Sequence, residues 1–237
     1  MSIKHTAALL CALVASTAWA GPEEAIKAAV ESTLGAGAKV EGVTKTPYLG
    51  LYEVRVGGEI LYTDEKANYL LLGEILDAKT RQNITQARAN QLSAINFADL
   101  PLDVAIKQVR GNGKRVIATF EDPNCGYCKK LAKELLTLND VTVYTFLTPV
   151  LGPDSQKKSE AIWCSADRQK AWSDWMTANV APVAAGASCD TAGLQKSSSL
   201  GEKYRVRGTP TIFLSNGERI PGYVPVAQLE KRISSVK

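Results

Sequence analysis

Residues Arg115-Val116-Ile117-Ala118-Thr119-Phe120 lead through Glu121-Asp122-Pro123-Asn124 into Cys125-Gly126-Tyr127-Cys128 and then Lys129-Lys130-Leu131-Ala132. A β-branched apolar run reads as a strand over Arg115–Phe120, and the helix formers after the turn read as a helix over Cys125–Leu138. The two cysteines therefore open a helix directly behind a strand. Two intervening residues let the sulfurs approach bonding distance across the first helical turn. The first cysteine sits where unpaired N–H groups and the helix dipole favour a thiolate. The thiolate is the attacking species in disulfide exchange, and each unit of pKa depression is worth ~1.4 kcal/mol in favour of the charged form. Lys129 and Lys130 are expected to add to that field.

A thiolate at Cys125 can attack a disulfide and form a mixed disulfide, which Cys128 or a substrate thiol then resolves. Two blander readings compete with this one. As half of a zinc site the pair lacks its counterpart, because Cys164 and Cys189 are 25 residues apart rather than closely spaced. As a structural bridge it would close a loop too short to remove much unfolded-state entropy. Redox chemistry fits the spacing and the location together. Neither a metal nor an organic cofactor is called for.

Working outward, strands and helices alternate. Val141–Leu147 reads as a strand, 155–179 as a helical stretch and Thr211–Leu214 as a strand. Asn216-Gly217 reads as a hairpin turn into a strand over Arg219–Tyr223, with a closing helix over Val226–Val236. This alternation argues for an α/β layer structure beginning near Leu100-Pro101-Leu102, with a short helix expected over Val104–Val109. The tryptophans Trp163, Trp172 and Trp175 lie at helical spacings and read as core.

Upstream, Glu23–Leu34 has a helical apolar face and stops at Gly35-Ala36-Gly37. Tyr52, Val54 and Val56 alternate as in a strand and turn through Gly57-Gly58 into Ile60–Thr63. A further apolar run covers Tyr69–Ile75. A segment of ~65 residues is marginal as an independent core, so self-association is expected of it. Thr85–Ile95 reads as a linking helix. The expected organisation is residues 1–20 as export signal, 21–83 as N-terminal domain, 84–99 as linker helix and 100–237 as the domain carrying the cysteines.

Residues 1–20 combine a basic start, an uncharged stretch from Thr6 to Ala15, and small residues at Ala18 and Ala20. These are the parts of a secretory signal cleaved after Ala20. Cleavage takes Cys11 and His5 away, leaving four of the five cysteines and none of the histidines. It also removes Lys4, lowering the net charge from +4 to +3. A mature chain without histidine has no Ser-His-Asp triad, no Cys-His dyad and no His-ligated metal. So slight a basic excess, with no dense basic run, points away from nucleic acid. Four cysteines in an exported chain point to disulfide chemistry, with three pairings open.

Residues 100–237 resemble the thioredoxin fold, with the CxxC opening the first helix and Thr209-Pro210 preceding a strand. The resemblance implies that Pro210 is cis and that the Thr209 backbone pairs with a substrate peptide beside the cysteines. A narrower resemblance rests on Cys-Gly-Tyr-Cys at 125–128, Trp163-Cys164, Ser188-Cys189-Asp190, Gly208-Thr209-Pro210-Thr211, Leu214-Ser215-Asn216-Gly217 and Pro221-Gly222-Tyr223. With the signal, the small first domain and the linker, these resemble the DsbC/DsbG family of bacterial periplasmic disulfide isomerases. That resemblance implies a cystatin-like α+β dimerisation domain joined to the thioredoxin-like one. It further implies a homodimer with an apolar cleft that holds misfolded exported proteins, and re-reduction by the membrane reductase DsbD. A structural Cys164–Cys189 disulfide is implied as well, worth ~3–4 kcal/mol in the chain-entropy model.

The motif does not separate an isomerase from a thiol oxidase or reductase, nor from a chaperone whose thiols are secondary. Two departures from thioredoxins stand out. Asn124 and Tyr127 replace the usual Trp and Pro, and Thr119 stands where thioredoxins carry a buried acid. Glu121 and Asp122 are near, but on a strand or its end they need not face the sulfurs. The proton partner of Cys128 is open at this level.

Overall fold

The computed structural model describes residues 21–184, 186 and 188–236, so the expected export signal and its cleavage point lie outside the described residues. The chain divides into two compact units between Ala78 and Lys79. In the first, α1 (Pro22–Leu34) carries Pro22, Glu23 and Glu24 in its first turn, where a fixed φ and negative charge suit a helix start. Ile26 and Val30, one turn apart, are buried with Val40, Tyr52, Val54 and Leu61. These last come from an antiparallel sheet in chain order: β1 (Val40–Lys45), β2 (Tyr52–Val56), β3 (Glu59–Thr63) and β4 (Leu70–Leu71). Gly57 and Gly58 both have positive φ, +59° and +79°, as a two-residue hairpin turn of this hand requires. Sequence reasoning passed over β1, whose burial is confined to Val40. Within the apolar run Tyr69–Ile75, Leu70 and Leu71 pair with β3 at the sheet edge.

The second unit is a mixed five-stranded sheet between helices. Its strands are β5 (Ile106–Arg110), β6 (Arg115–Glu121), β7 (Val141–Leu147), β8 (Thr211–Leu214) and β9 (Arg219–Pro221), in the order β5-β7-β6-β8-β9. Only β6 and β7 run parallel. Alternate residues of β6 face opposite layers. Ile117 joins Leu131, Leu135, Leu229 and Ile233 from α3 (Gly126–Leu135) and α7 (Val226–Ser235). Ala118 and Phe120 join Ile162, Trp163, Trp172 and Leu194 from α4 (Pro153–Trp163), α5 (Arg168–Ser173) and α6 (Ala192–Lys203). The linking helix, α2 (Ile84–Leu92), is capped by Asn83, whose side chain accepts from the Gln86 N–H at 2.8 Å. Beyond it the Ile95 N–H donates to the Gly217 carbonyl at 3.1 Å. A Cβ on Gly217 would stand 1.9 Å from the Ile95 carbonyl oxygen, so only glycine admits that approach.

Two local expectations are corrected. The helix expected over Val104–Val109 is a single tight turn, Leu102–Val104, followed by strand β5. Pairing of Ile106–Arg110 with β7 outweighs a weak local preference. The single helical stretch over 155–179 is broken after Trp163, restarts where Asp167 caps α5, and ends in a wide π-helical turn over Asp174–Ala178. Helix α6, rich in Ser and Gly, was not foreseen.

Candidate redox site

The loop between β6 and α3 is held by hydrogen bonds from three other elements. The Asp122 side chain, fully buried, accepts from the Asn124 N–H at 2.7 Å, the Leu151 N–H at 2.9 Å and the Ser155 hydroxyl at 2.7 Å. Asn124 in turn donates to Asp154 at 2.7 Å and to Ser155 Oγ at 3.0 Å. The Trp175 indole N–H, from the π-helical turn, donates to the Pro123 carbonyl at 2.6 Å. Cys125 emerges from this frame as the N-cap of α3, its Sγ accepting from the Cys128 N–H at 3.3 Å.

The two thiols are free and unequal. Cys125 is 7% exposed and Cys128 is wholly buried. Hydrogen bonding from the Cys128 thiol is the main influence on Cys125. It outweighs burial and is joined by the Thr209 side chain and the Cys128 and Tyr127 N–H groups, bringing the Cys125 pKa down to about 6. Burial pushes Cys128 far up, and donating to Cys125 pushes it further. At neutral pH the thiolate is therefore favoured at Cys125, while Cys128 stays a thiol.

The Thr209–Pro210 peptide bond is cis, and the Thr209 carbonyl accepts from Cys125 Sγ at 3.2 Å. Gly126 faces open space. Tyr127 is exposed and stacks on Tyr223 with ring centroids 5.9 Å apart. The lysine contribution expected at Cys125 is absent from the influences that lower its pKa. Lys129 Nζ lies 3.8 Å from the centre of the Trp175 ring and donates to Asn179 at 2.6 Å. Lys130 Nζ lies 4.5 Å from the centre of the Tyr223 ring. Thiolate stabilisation comes instead from thiol, hydroxyl and backbone donors.

Glu121 closes the site from the sheet side. It is 1% exposed and hydrogen-bonded by the Thr119 hydroxyl, while its Oε2 has no partner among the described residues. Burial, with the charge of Cys125, brings its pKa up to about 8. The sequence alone leaves the direction of this carboxyl open; its charge raises Cys128, and the charge of Cys125 raises it in turn. Trp175, read as core, packs half-buried against that core and also supports the site loop between Lys129 and Lys158, while Trp163 and Trp172 are buried as expected. Nothing in the spacing marks Ser155 or Trp175, because both arrive through tertiary contact.

Away from the site, Cys164 and Cys189 form a disulfide with Cα atoms 5.8 Å apart, tying the end of α4 to the segment before α6. The Trp163 indole N–H donates to the Asp190 carbonyl beside it at 3.0 Å. No cluster of three or more metal-ligating side chains occurs among the described residues.

A thioredoxin-like layer with an activated CxxC at a helix start defines a thiol:disulfide oxidoreductase. The comparisons with known proteins agree. A profile described as a thioredoxin-like domain matches residues 102–237, and one described as a disulfide bond isomerase protein N-terminal domain matches residues 17–86. The probable thiol:disulfide interchange protein DsbC of Bordetella pertussis is 48% identical over 83% of this chain and 69% of its own. DsbC of Escherichia coli K12 is 31% identical over 90% of both. A crystal structure of a disulfide interchange protein from Neisseria gonorrhoeae has a TM-score of 0.54 at 44% identity, covering 57% of this chain and 96% of that one. This chain belongs to the DsbC family of thiol:disulfide interchange proteins.

Proposed function

We propose that this chain isomerises wrong disulfides in exported proteins, with Cys125 as nucleophile and Cys128 as the resolving thiol. The observation that carries the reading is the inequality of the two sulfurs, one near pKa 6 at a helix start and the other buried and protonated. The Cys125 thiolate attacks a substrate disulfide, forming a mixed disulfide and releasing a substrate thiolate. That thiolate attacks a second substrate disulfide, and the last thiolate formed displaces Cys125, so no electrons are lost. Where rearrangement stalls, Cys128 attacks Cys125, and the substrate leaves reduced. Gly126 leaves the approach open, Tyr127 borders it, and Thr209 with Pro210 presents backbone to the substrate chain.

Dimerisation through residues 21–83, with 84–99 as linker and 100–237 as the redox domain, belongs to the same proposal. So does chaperone-like binding of misfolded chains. Its support is the apolar surface of the first unit, where Leu49, Tyr69, Leu72 and Leu76 are exposed. The proposed setting is the periplasm, after cleavage behind Ala20, with DsbD as the reductant that restores the dithiol. Among the described residues no helix is long and apolar enough to cross a membrane.

Refolding of scrambled ribonuclease tests the chemistry. Wild type is expected to restore activity and Cys125→Ser to fall to the background rate, whereas equal recovery would sink the isomerase reading. Gel filtration tests the assembly, and elution at monomer mass would remove the dimer.

A further inference from the structure

We propose that the cavity between residues 148–150 and the end of α6 is a subsite for an acidic side chain of the substrate polypeptide, close to the disulfide under attack. The proposal rests on the redox reading of Cys125 and adds which chains that sulfur attacks fastest. The cavity holds about 350 Å³, and its lining includes Thr148, Val150, Glu202, Arg205, Val206 and Arg207. Ligand pockets usually span ~300–1,000 Å³, so this one suits a side chain or two of an extended peptide.

Both walls of the cavity are tied to the redox site. The Thr148 N–H donates to the Glu121 carbonyl at 2.8 Å and the Leu151 N–H to Asp122 at 2.9 Å. The first wall therefore lies along the loop that carries Cys125. On the second wall, Arg207 stands two residues before Thr209, whose carbonyl accepts from Cys125 Sγ at 3.2 Å. Two residues of chain reach at most ~7 Å, so a peptide held at Thr209 meets the cavity within about three residues of its own cysteine. Gly201 brings α6 against the first wall, since a Cβ there would stand 2.9 Å from Thr148 Cγ2.

The charges of the lining choose the occupant. Two arginines against one glutamate leave the cavity positive, and Val150 and Val206 offer apolar wall to the methylenes of Glu or Asp. A guanidinium carries five donors in a planar fork, the shape that a carboxylate accepts in pairs, and one neighbour does not exhaust it. The backbone adds an independent sign. Helix α6 ends in a Schellman motif, in which the Arg205 N–H donates to the Glu202 carbonyl at 2.9 Å and the Val206 N–H to the Gly201 carbonyl at 2.8 Å. Its left-handed residue is Arg205, at φ +50°, where glycine is the usual occupant because a Cβ is penalised. Arg219 Nη2 donates to the Arg205 carbonyl at 2.7 Å and fixes the turn from β9. An arginine in a glycine's place gives up stability, and here its side chain borders a cavity beside the nucleophile.

Rates of mixed-disulfide formation between the reduced full-length protein and short disulfide-bonded peptides test the subsite. The peptides differ only in carrying Glu, Gln or Lys two residues from the cysteine, or Glu at the far end of the chain. Wild type is expected to react with the near-Glu peptide roughly fivefold faster than with the Gln peptide and slowest with the Lys peptide, the advantage shrinking as salt is added. In Arg205→Gly/Arg207→Ala the Glu-to-Gln ratio is expected to fall to about one. Arg205→Gly alone should lose part of the ratio while its urea midpoint stays at or above that of wild type. Equal rates for the near-Glu and Gln peptides in wild type overturn the subsite and leave the redox reading standing. A ratio that survives in the double variant does the same, as does an equal gain from Glu at the far end. Absence of mixed disulfide with every peptide overturns both. Should the double variant fail to fold, Arg207→Glu decides: it is expected to bring the Lys peptide above the Glu peptide, and an unchanged order overturns the subsite.

Discussion

Cys125–Cys128 and Cys164–Cys189 are the same chemical pair put to opposite uses in one unit of the chain. The first pair is two free thiols beneath a helix start, and the second is a closed disulfide bridging 25 residues between two helices. The Cys125–Cys128 pair is held in place by the packing of α3 and by hydrogen bonds of the neighbouring groups: Asp122 to its three donors, Trp175 to the Pro123 carbonyl, and Thr209 against Cys125. The bridged pair holds its surroundings in place. A cysteine that must exchange partners cannot be fixed through its sulfur, so the neighbouring backbone has to be fixed by other groups. A cysteine used as a brace needs no such frame.

Breaking the frame should therefore cost as much as breaking the brace. Asp122→Ala removes the acceptor of the Asn124 and Leu151 N–H groups and of the buried Ser155 hydroxyl, and a loss of ~3 kcal/mol is expected in urea unfolding, with activity falling alongside. The double variant Cys164→Ser/Cys189→Ser should lose ~3 kcal/mol but retain its rate of mixed-disulfide formation well below its melting temperature. Were that rate to collapse with the fold intact, the two pairs would not be independent.

Protonation sharpens the contrast, because only the reactive pair titrates. Cys125 ionises near 6 in the folded protein against an ordinary 9.0, so between those values the unfolded chain holds the extra proton. Its contribution to the stability of the reduced protein therefore rises with pH across that window, and is lost as pH falls through 6. Glu121 works in the opposite sense. Its folded pKa of about 8 against an ordinary 4.5 leaves the extra proton on the folded state, so its contribution falls as pH rises between them. The reduced protein should thus lose up to ~2 kcal/mol on going from pH 4.5 to 6, at ~1.4 kcal/mol per unit. Stability should then stay nearly level to pH 8. Urea unfolding across this range checks the shape, and in Glu121→Gln the initial fall should vanish. The smallest effect belongs to Trp175→Phe, which loses the bond to Pro123 and is expected to cost ~1 kcal/mol in urea unfolding.

Much of the second unit is legible in the sequence because its elements carry strong local signals. The run Arg115–Phe120, the Asn216-Gly217 turn and the closing helix from Val226 each satisfy one period or one turn rule, and each is found. Helix α6 is not legible for the same kind of reason. Its serines and glycines carry no helical signal, and two of them are small because they pack tightly. Ser197 donates to the Leu147 carbonyl at 3.1 Å, and a Cβ on Gly193 would lie 2.3 Å from the Trp163 ring. The segment Ile106–Arg110 has no decisive period and became a strand because β7 offered an edge.

The sequence by itself determined the chemistry: two cysteines at a spacing that allows a bond, at a helix start, with no histidine anywhere among the residues after 20. Spacing, caps and residue types are local, and short-range physics acts on them directly. Only the tertiary structure decided which groups tune those sulfurs. Thr209 lies 84 positions from Cys125, Trp175 lies 52 from Pro123, and Asp122 reaches 33 residues to Ser155. Burial, which makes Glu121 hold a proton and Cys128 keep one, belongs to the packed sheet and helices and to no single stretch of chain.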